Sequence, residues 1–148
     1  MTNQIPDCFY RISIKALILN ETRDKFLIVK EENGKWELPG GGLDWNVSPQ
    51  DDVKREIKEE MGIDVTWVAK HPSYFLTDLS GLPEKPRANV LYEVKVGSLD
   101  FTPSDECIEL RFVSAEEARQ LELFENVKIF TDLFDPSKHI GVKGDRHI

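Results

Sequence analysis

The sequence predicts one α/β domain built on a mixed or antiparallel sheet, and three observations predict it. Short runs with a two-residue apolar period recur between Tyr10 and Val113, the signature of half-buried strands. One long amphipathic segment interrupts them, opened by Ser48-Pro49 and closed by Gly62. A chain of 148 residues, 40% hydrophobic and 31% charged, suits a single core, so residues 1–148 read as one unit, with a loosely packed tail from about Asp135.

Taken in order, Ile12, Ile14, Ala16 and Ile18 alternate with Arg11, Ser13, Lys15 and Leu17 as a first strand. A polar turn over 20–24 leads to a second strand over 25–30, and Asn33-Gly34 marks a turn before residues 35–38. Pro39 and the three glycines at 40–42 then read as a loop, because glycine and proline weaken the interior of any regular element. Ser48 is the expected N-cap of the helix, Pro49 its first residue, and Asp51 and Asp52 sit in its positively polarised first turn. Val53, Ile57 and Met61 form its apolar stripe.

Segments 64–70, 73–78 and 87–96 read as strands, the last alternating through Ala88, Val90, Tyr92, Val94 and Val96. Trp67 shares a stripe with Val65 and Ala69, which predicts burial. Residues 80–86 form a loop long enough to fold over a site. A strand over 107–113 precedes a capping box, Ser114 with Glu117, for a helix to about Leu121. Val127, Phe130 and Phe134 mark a last amphipathic helix.

Composition narrows the function. No apolar run approaches the length of a membrane span, and the N-terminal residues carry neither a basic start nor an apolar core, so a cytoplasmic protein is expected. Cys8 and Cys107 lack metal spacing and read as reduced thiols, while His71, His139 and His147 are too scattered for a zinc site. A net charge of −8 argues against a nucleic-acid polymer as partner, although a small polyanion could bind beside metal ions.

The stretch Arg55-Glu56-Ile57-Lys58-Glu59-Glu60 raises a question of charge. At 100° per residue, Glu59 and Glu60 fall within about 60° on either side of Glu56, and like charges so placed repel by a few tenths of a kcal/mol per pair. Such a face is ordinarily solvated. The alternative is a cation held between the carboxylates.

The surrounding residues resemble the signature of the Nudix (MutT-like) hydrolases, in which a glycine, an Arg-Glu pair, a Glu-Glu pair and a closing glycine recur at fixed spacing. Gly41, Arg55, Glu56, Ile57, Glu59, Glu60, Gly62 and Ile63 occupy their places in it. Val47 departs, standing where the family carries its first glutamate.

The resemblance implies an α/β/α sandwich with a mixed central sheet and metal-dependent hydrolysis of a diphosphate bond in a nucleoside diphosphate linked to another group, with bound Mg²⁺ or Mn²⁺. It also implies Glu59 and Glu60 as metal ligands, Glu56 as ligand or general base, the carbonyl of Gly40 as a further ligand, and Arg55 as the residue that orients a carboxylate. Glu106 is the expected later acidic residue, with Glu109 second. Val47 cannot ligate a metal; Asp52 or Asp44 could replace the missing charge, although helix-dipole and loop roles are the ordinary use of such residues. Trp67, Tyr74 and Phe75 could stack on a base or sugar, although most of them are expected in the core; Trp45, in the glycine-to-helix loop, could flank the substrate, and no base preference follows from any of these. The competing expectation is a Nudix-fold module that binds a nucleotide or a protein without efficient turnover.

Overall fold

The computed structural model describes residues 9–81 and 86–141. Cys8, His147 and the centre of the 80–86 loop lie outside the described residues. Strand β1 (Arg11–Leu17) pairs in parallel with β7 (Arg87–Val96) and antiparallel with β4 (Gly40–Gly42). β7 also takes β5 (Val65–Val68) and β6 (Tyr74–Asp78) as antiparallel neighbours, so this five-stranded sheet is mixed. β2 (Phe26–Lys30), β3 (Trp36–Glu37) and β8 (Glu109–Val113) form a second, antiparallel sheet in the order β3-β2-β8.

Both faces of β1 are covered, which explains why its buried residues run continuously from Ile14 to Leu17. Ile14, Ala16 and Ile18 pack with Val53, Ile57 and Met61 of helix α1 (Pro49–Met61). Leu17, with Phe26 of β2 and Leu91 of β7, packs against α2 (Ala115–Arg119) and α3 (Glu125–Leu133), where Phe26 and Phe130 meet edge to face at 4.9 Å. The result is the expected sandwich of helices around sheet.

Three expectations are corrected. Gly40–Gly42 is a strand, not a loop: it lies at the sheet edge, where only one side must pair, and absent side chains let it approach its neighbours closely. Trp67 is half-buried rather than in the core, because a bulge between Val65 and Trp67 shifts the register and places the Lys95 ammonium 5.1 Å over the indole. The segment after Asp135 is docked as far as His139, which is only 6% exposed, while Ile140 is 54% exposed. The Tyr74 hydroxyl lies 2.7 Å from His139 Nε2, and Arg23 Nε donates to the His139 carbonyl at 2.7 Å. Burial holds that imidazole below its ordinary pKa.

Candidate active site

Helix α1 is fixed at both ends and along one side. Ser48 Oγ accepts the Asp51 N–H at 3.1 Å, and Gly62, at φ 68°, donates its N–H to the Lys58 carbonyl at 2.9 Å. With Val53, Ile57 and Met61 fully buried, rotation about the helix axis is set, and Glu56, Glu59 and Glu60 face a cavity of about 250 Å³. Ser104, Asp105 and Glu106 close its other wall. Ser104 Oγ donates to the Glu60 carbonyl at 2.7 Å, so the turn carrying Glu106 is anchored to the helix.

The glutamates are not equivalent. Glu60 is 6% exposed, and it accepts the Gly40 N–H at 3.0 Å. Burial pushes its carboxyl up to about 9, against the opposing pull of the Lys15 charge and the Gly40 N–H, and a hydrogen bond with Glu106 raises it further. Two carboxyls this close share a proton or hold a cation between them. Glu56 is raised as well, by burial first, with Arg55 opposing. Its carboxyl lies where a Cβ on Gly41 would sit 2.6 Å away, so β4 reaches the helix only because that residue is glycine.

Arg55 is the hub of the acidic face. Its Nη2 donates to Asp52 at 2.8 Å and Glu56 at 2.9 Å and forms an ion pair with Asp44 at 2.9 Å, and its Nη1 donates to Glu59 at 3.0 Å. Asp52 is fully buried, and its Oδ2 has no hydrogen-bond partner among the described residues. Asp44 and Asp52 thus do more than their ordinary loop and helix-dipole roles: they clamp the guanidinium. The spacing of three residues between Asp52 and Arg55 was the available signal. Val47 is 37% exposed, at the surface rather than in the core, and does not line the cavity.

Other expected residues stand apart. The Gly40 carbonyl accepts a long contact of 3.5 Å from Lys15 Nζ, while its N–H serves Glu60 at 3.0 Å. Glu109 pairs with Arg111 on β8 and does not line the cavity. Trp45 is 95% exposed beside Asp44, Phe75 points outward from β6, and Tyr74 is core.

A divalent cation fits the donor set: Glu56, Glu59, Glu60 and Glu106 offer only oxygen atoms around one small cavity, as magnesium requires. As the side chains stand, no three such groups among the described residues converge on one point, because Arg55 draws Glu56 and Glu59 to itself. Glu59, whose side chain is 60% exposed, has the freedom to turn. A larger groove of about 590 Å³, between the β1–β2 turn and the second half of β7, contains none of these carboxylates.

A model of the NUDIX domain matches residues 9–134, and the chain belongs to the Nudix family. A "MutT-like protein" of Streptomyces ambofaciens is 38% identical over 56 residues, 38% of this chain and 36% of that one. An RNA pyrophosphohydrolase of Ruthia magnifica is 31% identical over 72 residues, 47% of this chain and 40% of that one. The chain thus spans less than half the length of these two curated relatives. The solved MutT protein of Methanosarcina mazei superposes with a TM-score of 0.64 at 29% identity, covering 93% of this chain and 99% of that one. No helix among the described residues is long and apolar enough to cross a membrane.

Proposed function

We propose that the protein is a metal-dependent hydrolase, with Mg²⁺ or Mn²⁺, that cleaves a diphosphate bond in a small nucleoside diphosphate derivative in the cytoplasm. The observation that carries this reading is the single cavity shared by Glu56, Glu59, Glu60 and Glu106, with Glu60 buried at its back. When bound there, the metal neutralises phosphate charge and polarises the phosphoryl oxygen. Glu60 and Glu106 would hold it from the floor, and Glu59 from the rim.

The rest is done by the chain itself. Glu56 is held by Arg55 at 2.9 Å and takes the proton of the attacking water; burial raises its carboxyl toward neutrality, which improves the match for a general base. Gly40 fixes Glu60 through its N–H, and Asp44 and Asp52 keep Arg55 in place as Glu59 leaves it. This clamp favours the enzyme over a noncatalytic binding module, since the loss of the family glutamate at Val47 leaves Arg55 with two other carboxylates.

Incubation with nucleoside triphosphates, sugar nucleotides, dinucleoside polyphosphates and ADP-ribose in Mg²⁺ or Mn²⁺, with products identified by mass, tests the reading. Cleavage of a diphosphate bond that chelator abolishes is the expected result. No cleavage of any of these compounds, with the protein folded and metal bound, would leave the binding module in its place.

A further inference from the structure

The groove of about 590 Å³ lies where β1 leaves β7. Leu17 is the last β1 residue in register with β7. Beyond it the chain turns to β2: the Leu27 N–H donates to the Ile18 carbonyl at 2.9 Å, and the Asn20 N–H donates to the Lys25 carbonyl at 3.1 Å. β7 continues to Val96 without β1 beside it.

The bonds on the far sides fix where the remaining backbone groups point, because successive residues of a strand address opposite edges. The Glu93 carbonyl accepts the Ala69 N–H at 3.0 Å, the Lys95 carbonyl accepts the Thr66 hydroxyl at 3.2 Å, and the Gly97 N–H donates to the Asp64 carbonyl at 3.3 Å. These odd-numbered residues therefore face β5, and the Val94 carbonyl and the N–H and carbonyl of Val96 face the groove. By the same rule Ile18 and Asn20 face β2, which turns the N–H and carbonyl of Leu19 toward β7. None of these five groups has a partner among the described residues. Two unpaired strand edges thus line one groove, and an unpaired edge is the template on which a further strand adds.

Side chains set the character of the occupant. Ile18, Val94, Val96, Leu99 and Phe112 make the lining apolar. Most of the charges beside them are matched. Arg23 holds both carboxylate oxygens of Glu93 at 3.0 Å, and the Lys95 ammonium lies 5.1 Å over the Trp67 ring. Glu21, in the exposed β1–β2 turn at the groove, has no ion pair among the described residues. The unmatched charge is negative, which favours a cationic partner. A compact apolar ligand would cover the lining and leave the backbone edges bare, whereas an extended peptide satisfies both.

We propose that this groove binds an extended peptide segment, which adds as a strand between β1 and β7 with aliphatic side chains at alternate positions and a lysine or arginine near Glu21. Its backbone pairs with Val94 and Val96 on one side and with Leu19 on the other. The groove contains none of the carboxylates of the acidic cavity, so the inference stands apart from the proposed hydrolysis.

The test titrates the isotope-labelled full chain with the peptide acetyl-Val-Lys-Val-Lys-Val-amide and follows backbone amides by NMR. In the free protein the Val96 amide should exchange with solvent at least about tenfold faster than the Ala69 amide, which is bonded across β5 and β7. The peptide should shift the Val96 and Leu19 amides and slow their exchange. A copy N-methylated throughout keeps the side chains, loses every donor and should bind about tenfold more weakly or worse. Glu21→Lys, at an exposed turn position, should weaken the lysine peptide about threefold and improve binding of its glutamate counterpart. Four results overturn the inference: no shift at millimolar peptide, equal binding of the methylated copy, an unchanged charge preference in Glu21→Lys, or slow exchange of the Val96 amide in the free protein. Shifts of the same amides on raising the protein concentration alone would seat a second copy there and overturn it too.

Discussion

The two faces of β4 are built on opposite electrostatic plans. Toward α1, four glutamates crowd one cavity, and Arg55 together with the Lys15 charge acting on Glu60 balances part of their charge. Toward α3, two cations face two carboxylates and the polarity is carried by amides. An uncompensated acidic face is costly unless a cation or protons occupy it, whereas a balanced polar face is satisfied by hydrogen bonds. The proposed chemistry belongs to the first face, and substitutions on the two faces should separate their roles.

The largest effect is expected at Glu60. Glu60→Gln keeps an acceptor for the Gly40 N–H but removes a charged ligand, so turnover should fall about 100-fold or more while the melting temperature in chelator is unchanged or higher. Steady-state kinetics and thermal melts check both halves. On the opposite face, Asn126→Ala, which removes the bonds to Glu37 and Asn89, should instead lower stability by about 1–3 kcal/mol in thermal melts with little change in kcat. A fall in kcat alone would erase the distinction between the faces.

Smaller effects belong to the Arg55 clamp. Replacing Asp44 and Asp52 together by asparagine should lower turnover roughly 3- to 10-fold, the scale seen when a supporting hydrogen bond behind a site is lost. Val47→Glu, at an exposed position and with Arg55 already engaged, should change turnover by less than about twofold and leave stability within about 0.5 kcal/mol. A large gain on adding this glutamate would show that the two aspartates do not replace it.

The first face was legible in the sequence because it is local. Ser48, Pro49, Gly62 and the stripe Val53, Ile57, Met61 define α1 by cap chemistry and period, and its boundaries match the expected ones. The glutamates follow from the helix. The second face could not be read this way, since Lys15, Glu37, Asn89 and Asn126 come from four elements and meet only through tertiary packing. Lys15 even sits in a strand whose alternation gives no hint that both faces are buried. The same limit explains the docked His139, whose partners Tyr74 and Arg23 are 65 and 116 residues away. The glycine strand was hidden because propensity speaks against β structure wherever side chains are missing, while an edge position removes the objection.

The central claim is that Glu60 binds a divalent cation in exchange for a proton. Its carboxyl stands at about 9 against an ordinary 4.5, so the folded protein retains an extra proton in that window. Without metal, this group's contribution to stability is present below the ordinary value and is lost as pH rises toward the folded one. Metal binding must displace the proton, so affinity should increase with pH, by up to about tenfold per unit. The most direct measurement is a Mn²⁺ titration of the wild-type protein and Glu60→Gln at about pH 6.5 and about pH 8.5, without substrate. The account expects tighter binding at the higher pH in the wild-type protein, and binding at least about tenfold weaker with little pH response in Glu60→Gln. Equal affinity and equal pH response in the two proteins would contradict it.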